Sequence, residues 1–386
     1  MNAQASPVLS PLRLTRTTLT LTLLTLTLLS SAAMANTSKG AASFKAGQYA
    51  QALTELTGPA HSGDRSAQSY LGQMYDNGYG VKRDYGQAAS WYQKAASAGD
   101  ADSMNFLAAL YANGQGVKKD PVQAMALIRR AIAAGSRDAL DNMGRMYEYG
   151  VGVNTNSKQA AVWYQKAATA GNTDGMNDLG QLYKYGEGVP DDDKQAVFWF
   201  RKAADAGSTA AMVNLGTQYE LGSGVPEDRK LAVSLYLKAA KAGDTEGMFR
   251  MGLAYNDGMG VTKDYQQALS WHKQGAAAGN SKCMAQIAQM YMRADGVQQD
   301  FAQAAVWWRK TAEAGNAAGM GELGQAYAKG QGVKQDFVQA AAWFLKGAQL
   351  KSSDSMAGLA KLYASGQGVP KDPVKAKYWQ DKADEK

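Results

Sequence analysis

Residues 172–207 read NTDGMNDLGQLYKYGEGVPDDDKQAVFWFRKAADAG, and the rest of the chain is built on this stretch. A shift of 36 residues brings Leu179-Gly180, Tyr183, Gly186, Gly188-Val189, Asp192, Ala196, Trp199 and Gly207 back into register. The second turn glycine recurs at Gly80, Gly116, Gly152, Gly188, Gly224, Gly260, Gly296, Gly332 and Gly368, so nine copies run without insertion or deletion. A fixed period of this size marks a solenoid array, in which units bury their apolar faces against their neighbours. That overrides the two or three ordinary domains that 386 residues would otherwise suggest.

Each unit reads as two helices joined by a glycine turn. Leu71, Gly72 and Tyr75, extended by Met104 one copy later, form a helical stripe. The position before this first helix is Asp64, Asp100, Ser136, Asn172, Ser208, Asp244, Asn280, Asn316 and Ser352, all residues that can accept from the free N–H groups of a helix start. The second helix has its own cap at Asp84, Asp120, Asn156 and their equivalents, with glutamine three residues on in most copies, a capping-box pattern. Pro121 and Pro373 occupy first-turn positions where a missing N–H costs nothing. The helix then places Ala88, Trp91 and Ala95 on one face and stops at a glycine such as Gly99. Each helix is predicted to span roughly 13 residues, about 20 Å.

The ends of the array differ from its units. Residues 1–35 have the form of a secretory signal peptide, with Arg13 and Arg16, a Leu/Thr apolar core from Thr17 to Leu29, and an Ala33-Met34-Ala35 cleavage site. A periplasmic or secreted location is the expectation. Residues 36–63 read as an N-terminal half repeat, with Asn36 to Gly40 loose and one helix capping the first full unit. The full units begin at 64, 100, 136, 172, 208, 244, 280, 316 and 352 and occupy 64–386. Beyond the leader, 34 acids are set against the remaining Lys and Arg, leaving a net charge of about +5, interspersed as on ordinary solvated surface. Nothing in that balance points to nucleic acid.

These units resemble the Sel-1-like repeat family, whose consensus runs A-x-x-L-G-x-x-Y-x-x-G-x-G-V-x-x-D-x-x-x-A-x-x-W-Y-x-K-A-A-x-x-G. The likeness covers all nine copies. It implies an all-α, right-handed αα-superhelix related to tetratricopeptide arrays, with first helices lining the concave side. Departures are few: Ala108, Ala288 and Ala360 replace the first-helix glycine, Ala294 a turn glycine, and Leu127 and Leu235 the tryptophan.

No chemistry stands out against this repetition. Tyr75 and its equivalents recur in every copy, and seven of the eight tryptophans, including Trp91, Trp163 and Trp199, share one second-helix position. Such uniform aromatic positions read as inter-helix core, not as a sugar or base ladder. The glycine pairs link helix to helix, unlike a phosphate loop, which follows a strand. His61 and His272 are far apart, no zinc-ligand pair occurs, and Asp191-Asp192-Asp193 lacks the spaced oxygens of a calcium loop. Cys283 has no partner for a disulfide, and its equivalents are all small, so it reads as a packing residue. The expectation is a protein with no catalytic, cofactor-binding or metal-binding residues.

Function is then expected from positions that vary between copies. Those equivalent to Ser69, Gln73, Asp76 and Asn77 are taken to face the groove. In the middle copies this singles out Asp141, Arg145, Tyr149, Gln181, Lys184, Tyr185, Thr217, Phe249 and Leu253 as candidate partner-binding residues. Aromatic side chains and Arg carry most of the energy at protein interfaces. The leading expectation is an exported, non-enzymatic scaffold holding a protein or peptide along the concave face. A carbohydrate or peptidoglycan-fragment binder using Tyr149 and Tyr185 is the alternative. A hydrolase is weaker still: the resemblance extends to a cysteine-rich branch associated with β-lactam hydrolysis, but the chain has neither its disulfides nor an S-x-x-K signature.

Overall fold

The computed structural model describes residues 36–385. The leader read at 1–35 lies outside the described residues. Among the described residues there are twenty helices and no strand. Helix α1 covers residues 36–45 and α2 Tyr49–His61. The first helices of the nine repeats follow as α3 (Arg65–Asn77), α5 (Ala101–Asn113), α7 (Arg137–Tyr149), α9 (Thr173–Tyr185), α11 (Thr209–Leu221), α13 (Thr245–Asp257), α15 (Ser281–Arg293), α17 (Ala317–Lys329) and α19 (Ser353–Ser365). Their second helices are α4 (Tyr85–Ser97), α6 (Pro121–Ala133), α8 (Ser157–Thr169), α10 (Asp193–Asp205), α12 (Arg229–Lys241), α14 (Tyr265–Ala277), α16 (Phe301–Glu313), α18 (Phe337–Gln349) and α20 (Pro373–Asp384). The N-terminal segment differs from expectation. Asn36 to Gly40 are helical, and α1 packs with α2, Leu56 closing directly onto Gly40.

Packing divides the chain into two units. One runs to Gly175 and takes in the 187–189 turn; the other holds 176–186 and everything from Pro190. In each, a first helix packs against its own second helix, and that second helix against the next first helix. First helices of consecutive repeats also touch, α3 with α5 and α5 with α7 in one unit, and α11 with α13 and α13 with α15 in the other.

The caps form as expected at the first helices. Asp64 accepts from Ala67 N–H, Ser136 from Ala139 N–H and Asn280 from Cys283 N–H. At the second helices the glutamine does not close a box. The cap residue's own N–H is already taken, by the carbonyl of the first-helix tyrosine: Asp84 donates to Tyr75, Asp120 to Tyr111 and Asp264 to Tyr255, each at 2.8–2.9 Å. This bond ties the two helices of a repeat together across the turn. Gly116 shows why the turn needs glycine. Its φ is +67°, and an added Cβ would fall 2.2 Å from the Tyr85 carbonyl carbon of the preceding repeat.

The tryptophans pack on the core as read, but to different depths. Trp91 and Trp199 are buried, but Trp163, Trp271, Trp307, Trp343 and Trp379 are half-buried. A lysine three residues on covers the indole, with Lys94 Nζ 3.9 Å from the Trp91 ring, Lys166 3.9 Å from Trp163 and Lys346 4.1 Å from Trp343. The fully buried position is the next one, occupied by Tyr92, Tyr164, Phe200 and Tyr236. These rings lie on the first-helix glycine. A Cβ on Gly180 would sit 2.7 Å from Phe200, and one on Gly144 2.5 Å from Tyr164. The small position holding Cys283 is complementary in size to its neighbour: Cys283 stands over Gly275, Ser355 over Gly347, and Gly319 against Thr311. In these three repeats the larger member of the pair faces a glycine, as close packing requires.

Candidate functional site

A buried tyrosine hydroxyl needs a hydrogen-bond partner, and three repeats supply one from the first helix. Tyr92 donates to Asp76 at 3.2 Å, Tyr236 to Glu220 at 2.6 Å, and Tyr164 to Glu148. Burial, and then the adjoining carboxylate, raise the Tyr92 and Tyr236 hydroxyls well above the usual phenol range. Burial likewise raises Asp76. The second repeat has neither member of this pair. Ile128 stands in place of the ring, and Ala112 in place of the acid.

The missing atoms leave a cleft of about 170 Å³ between α5 and α7. Its floor is Ile128 and Met146, and Ala108, Ala109 and Ala112 form the α5 wall. Asn105, Asn113 and Asn142 add amides, with Asn142 Nδ2 donating to Asn105 Oδ1 at 2.8 Å. Arg145 and Tyr149 form the α7 side, and Tyr149 is 68% exposed.

Two of the predicted partner-binding residues, Arg145 and Tyr149, therefore meet in one cleft. Asp141 does not face it as expected. It is buried and holds Arg145 Nε at 2.9 Å from its Oδ2, so it orients the guanidinium from below. Its position falls in the seam where neighbouring first helices touch, which also buries Ser69, Asn177 and Val213. In the second unit, Asn177 receives a 2.8 Å bond from Asn214 across that seam.

The other candidates lie on first helices of the second unit. Tyr185 on α9 is 62% exposed with Lys184 Nζ 5.2 Å from its ring, and Gln181 is half-buried on the same helix. Thr217 on α11 is spent locally, donating to the Val213 carbonyl and meeting Tyr236 OH at 3.3 Å. Phe249 on α13 lies 6.0 Å from the His272 ring, beneath Lys282, while Leu253 is half-buried. Sequence reasoning missed Ala109, Ala112 and Ile128. A signal was present at Ile128, an aliphatic side chain at a position that seven of the nine copies fill with a ring.

Reactive groups are placed for packing. Cys283 is buried, and burial pushes its thiol up to about 12. His272 is buried in the ring position, and desolvation holds it down at about 4. Among the described residues no cluster of His, Cys, Asp or Glu could hold a metal ion, and no helix is long and apolar enough to cross a membrane.

The Sel1 repeat family model matches nine consecutive segments, from 65–100 through 353–383. The chain is a Sel1-repeat protein. Among solved structures, this Sel1-repeat protein is similar to c5321, a protective antigen of uropathogenic Escherichia coli displaying an SLR fold. The two are 31% identical, with 94% of this chain and 86% of c5321 covered, at a TM-score of 0.53. It is also similar to a Sel1 repeat protein from Oxalobacter formigenes, at 32% identity, covering 76% of this chain and 86% of that one, with a TM-score of 0.56. No curated protein matches the sequence. Sel1-repeat solenoids are typically protein-interaction scaffolds and generally non-catalytic.

Proposed function

We propose that this protein is an exported, non-enzymatic scaffold that holds a protein or peptide along its first-helix side, with the α5–α7 cleft as an anchor point. The observation that carries the reading is the cleft itself, an apolar floor rimmed by amides, Arg145 and an exposed Tyr149. Its volume of about 170 Å³ is below the ~300–1,000 Å³ of small-molecule sites, and suits one side chain of a larger partner. Export rests on the form of residues 1–35. The test is retention of envelope proteins on immobilised wild-type chain, on Ala109→Trp, which fills the cleft from an exposed position, and on Ser90→Trp on exposed α4 surface. A protein held by wild type and Ser90→Trp but lost from Ala109→Trp supports the reading; equal retention by all three contradicts it.

A glycan-binding reading is favoured by one observation, the exposure of Tyr149 and Tyr185. Retention of peptidoglycan strands that disappears on changing both tyrosines to Ala would establish it in place of the scaffold.

A further inference from the structure

The first unit carries a second cleft of different chemistry. Its second helices α4, α6 and α8 hold Lys94, Arg129, Arg130, Lys158 and Lys166 and not one acidic residue. The first helices α3, α5 and α7 hold Asp76, Asp102, Asp138, Asp141 and Glu148 against Arg65, Arg137 and Arg145. The second-helix side is therefore cationic. Within it lies an open cleft of about 280 Å³, walled by Ile132, Met143, Tyr147 and Trp163, with the exposed Arg129 at its edge.

Equivalent arginines elsewhere are committed. Arg201 donates to the Tyr219 hydroxyl at 2.7 Å, and Arg309 to that of Tyr327, over whose ring its guanidinium lies at 5.8 Å. Arg129 and Tyr147 occupy the same two positions and line the cleft together, but no such bond joins them. The repeat also has Leu127 where others carry tryptophan, and Arg130 where they carry the lysine that covers it. Arg130 reaches back to the Ala96 carbonyl at 3.4 Å.

We propose that this cleft docks an acidic peptide segment bearing one aromatic or large aliphatic side chain. The side chain fills the space between Ile132, Met143 and Trp163. The flanking carboxylates meet Arg129, whose planar guanidinium fork matches carboxylate geometry, and Lys166, which lies 3.9 Å from the Trp163 ring. Charge complementarity selects this occupant, because a basic or neutral segment would leave the cations of three successive helices unmatched. The site shares no lining residue with the α5–α7 cleft, so it does not depend on the function proposed for that cleft.

The probe is a fluorescein-labelled Glu-Glu-Phe-Glu-Glu pentapeptide, titrated with the purified protein and read by fluorescence anisotropy. Saturable binding is expected, weakened at least about fivefold by Arg129→Gln and by replacing the peptide's phenylalanine with glycine. Ala109→Trp should leave it unchanged, which separates this site from the other cleft. Equal binding of the phenylalanine and glycine peptides, or no effect of Arg129→Gln, overturns the proposal. So does failure to bind the peptide alongside Arg129-dependent binding to phosphatidylglycerol vesicles, which would make this side a lipid surface.

Discussion

Gly144 faces the Tyr164 ring so closely that an added Cβ would lie 2.5 Å from Cε1 and 2.6 Å from Cδ1. Ordinary contact starts near 3.4 Å, so Gly144→Ala requires the ring to retreat. Tyr164 has no exposed surface, and its hydroxyl is bonded to Glu148, so the ring is held at both ends. Overpacking of this kind costs about 1–3 kcal/mol, and replacing a helical glycine by alanine returns about 1 kcal/mol. The net expectation is a loss of up to about 2 kcal/mol. The second repeat shows the compensating change, since Ala108 there faces Ile128. Trp308 over Ala288 is accommodated differently, with the indole turned so that Nε1 reaches Met292 Sδ at 3.3 Å. In a Tyr164→Ile background, Gly144→Ala should therefore be neutral or stabilising, giving a coupling of about 2 kcal/mol in a double-mutant cycle. Urea denaturation followed by circular dichroism, fitted as a line of coupled repeats, measures it. Additive effects would refute the argument that the ring dictates the glycine.

Three further substitutions test the core. Burial holds His272 down at about 4 against the usual 6.5, so the unfolded chain takes up its proton first as pH falls. Its contribution is complete above pH 6.5 and is lost between 6.5 and 4, about 3 kcal/mol in all. His272→Phe should flatten that part of the pH dependence of melting; an unchanged profile would exclude His272 as its source. Gln218 has no exposed surface and, among the described residues, no hydrogen bond to its amide, at a position filled elsewhere by Met74, Met146 and Met290. Gln218→Met should raise stability by about 1–2 kcal/mol in the same denaturation assay. Ala294 closes α15 at φ +65° where other repeats place glycine, so Ala294→Gly should stabilise by about 1 kcal/mol. A loss in either variant would contradict the assignment.

The helix pairs, the first-helix caps and the small position at Cys283 were legible because each feature recurs in every copy and obeys a local rule. The second-helix caps were read only in part, since the bond that displaces the capping box comes from a tyrosine carbonyl nine residues upstream. Repetition also hid which of two adjacent aromatics meets the first-helix glycine: Trp199 and Phe200 share one helix, and only packing shows that the glycine of the partner helix receives the second. One residue of the predicted groove set falls elsewhere for a related reason. A period alone does not say which face of α7 meets α5, and Asp141 fell in the seam while Arg145 and Tyr149 reached the cleft. The cleft has the weakest sequence signal. Ile128 is a visible departure, but its meaning depends on the tyrosine–acid pair that it and Ala112 replace.

The central claim is that the α5–α7 cleft holds a partner. It is tested most directly by placing the photo-crosslinker benzoylphenylalanine at position 109 in producing cells, with position 90 as the control, and analysing the adducts. The account predicts one discrete protein adduct at 109 and none at 90. No adduct at 109, or the same adducts at both positions, would contradict it.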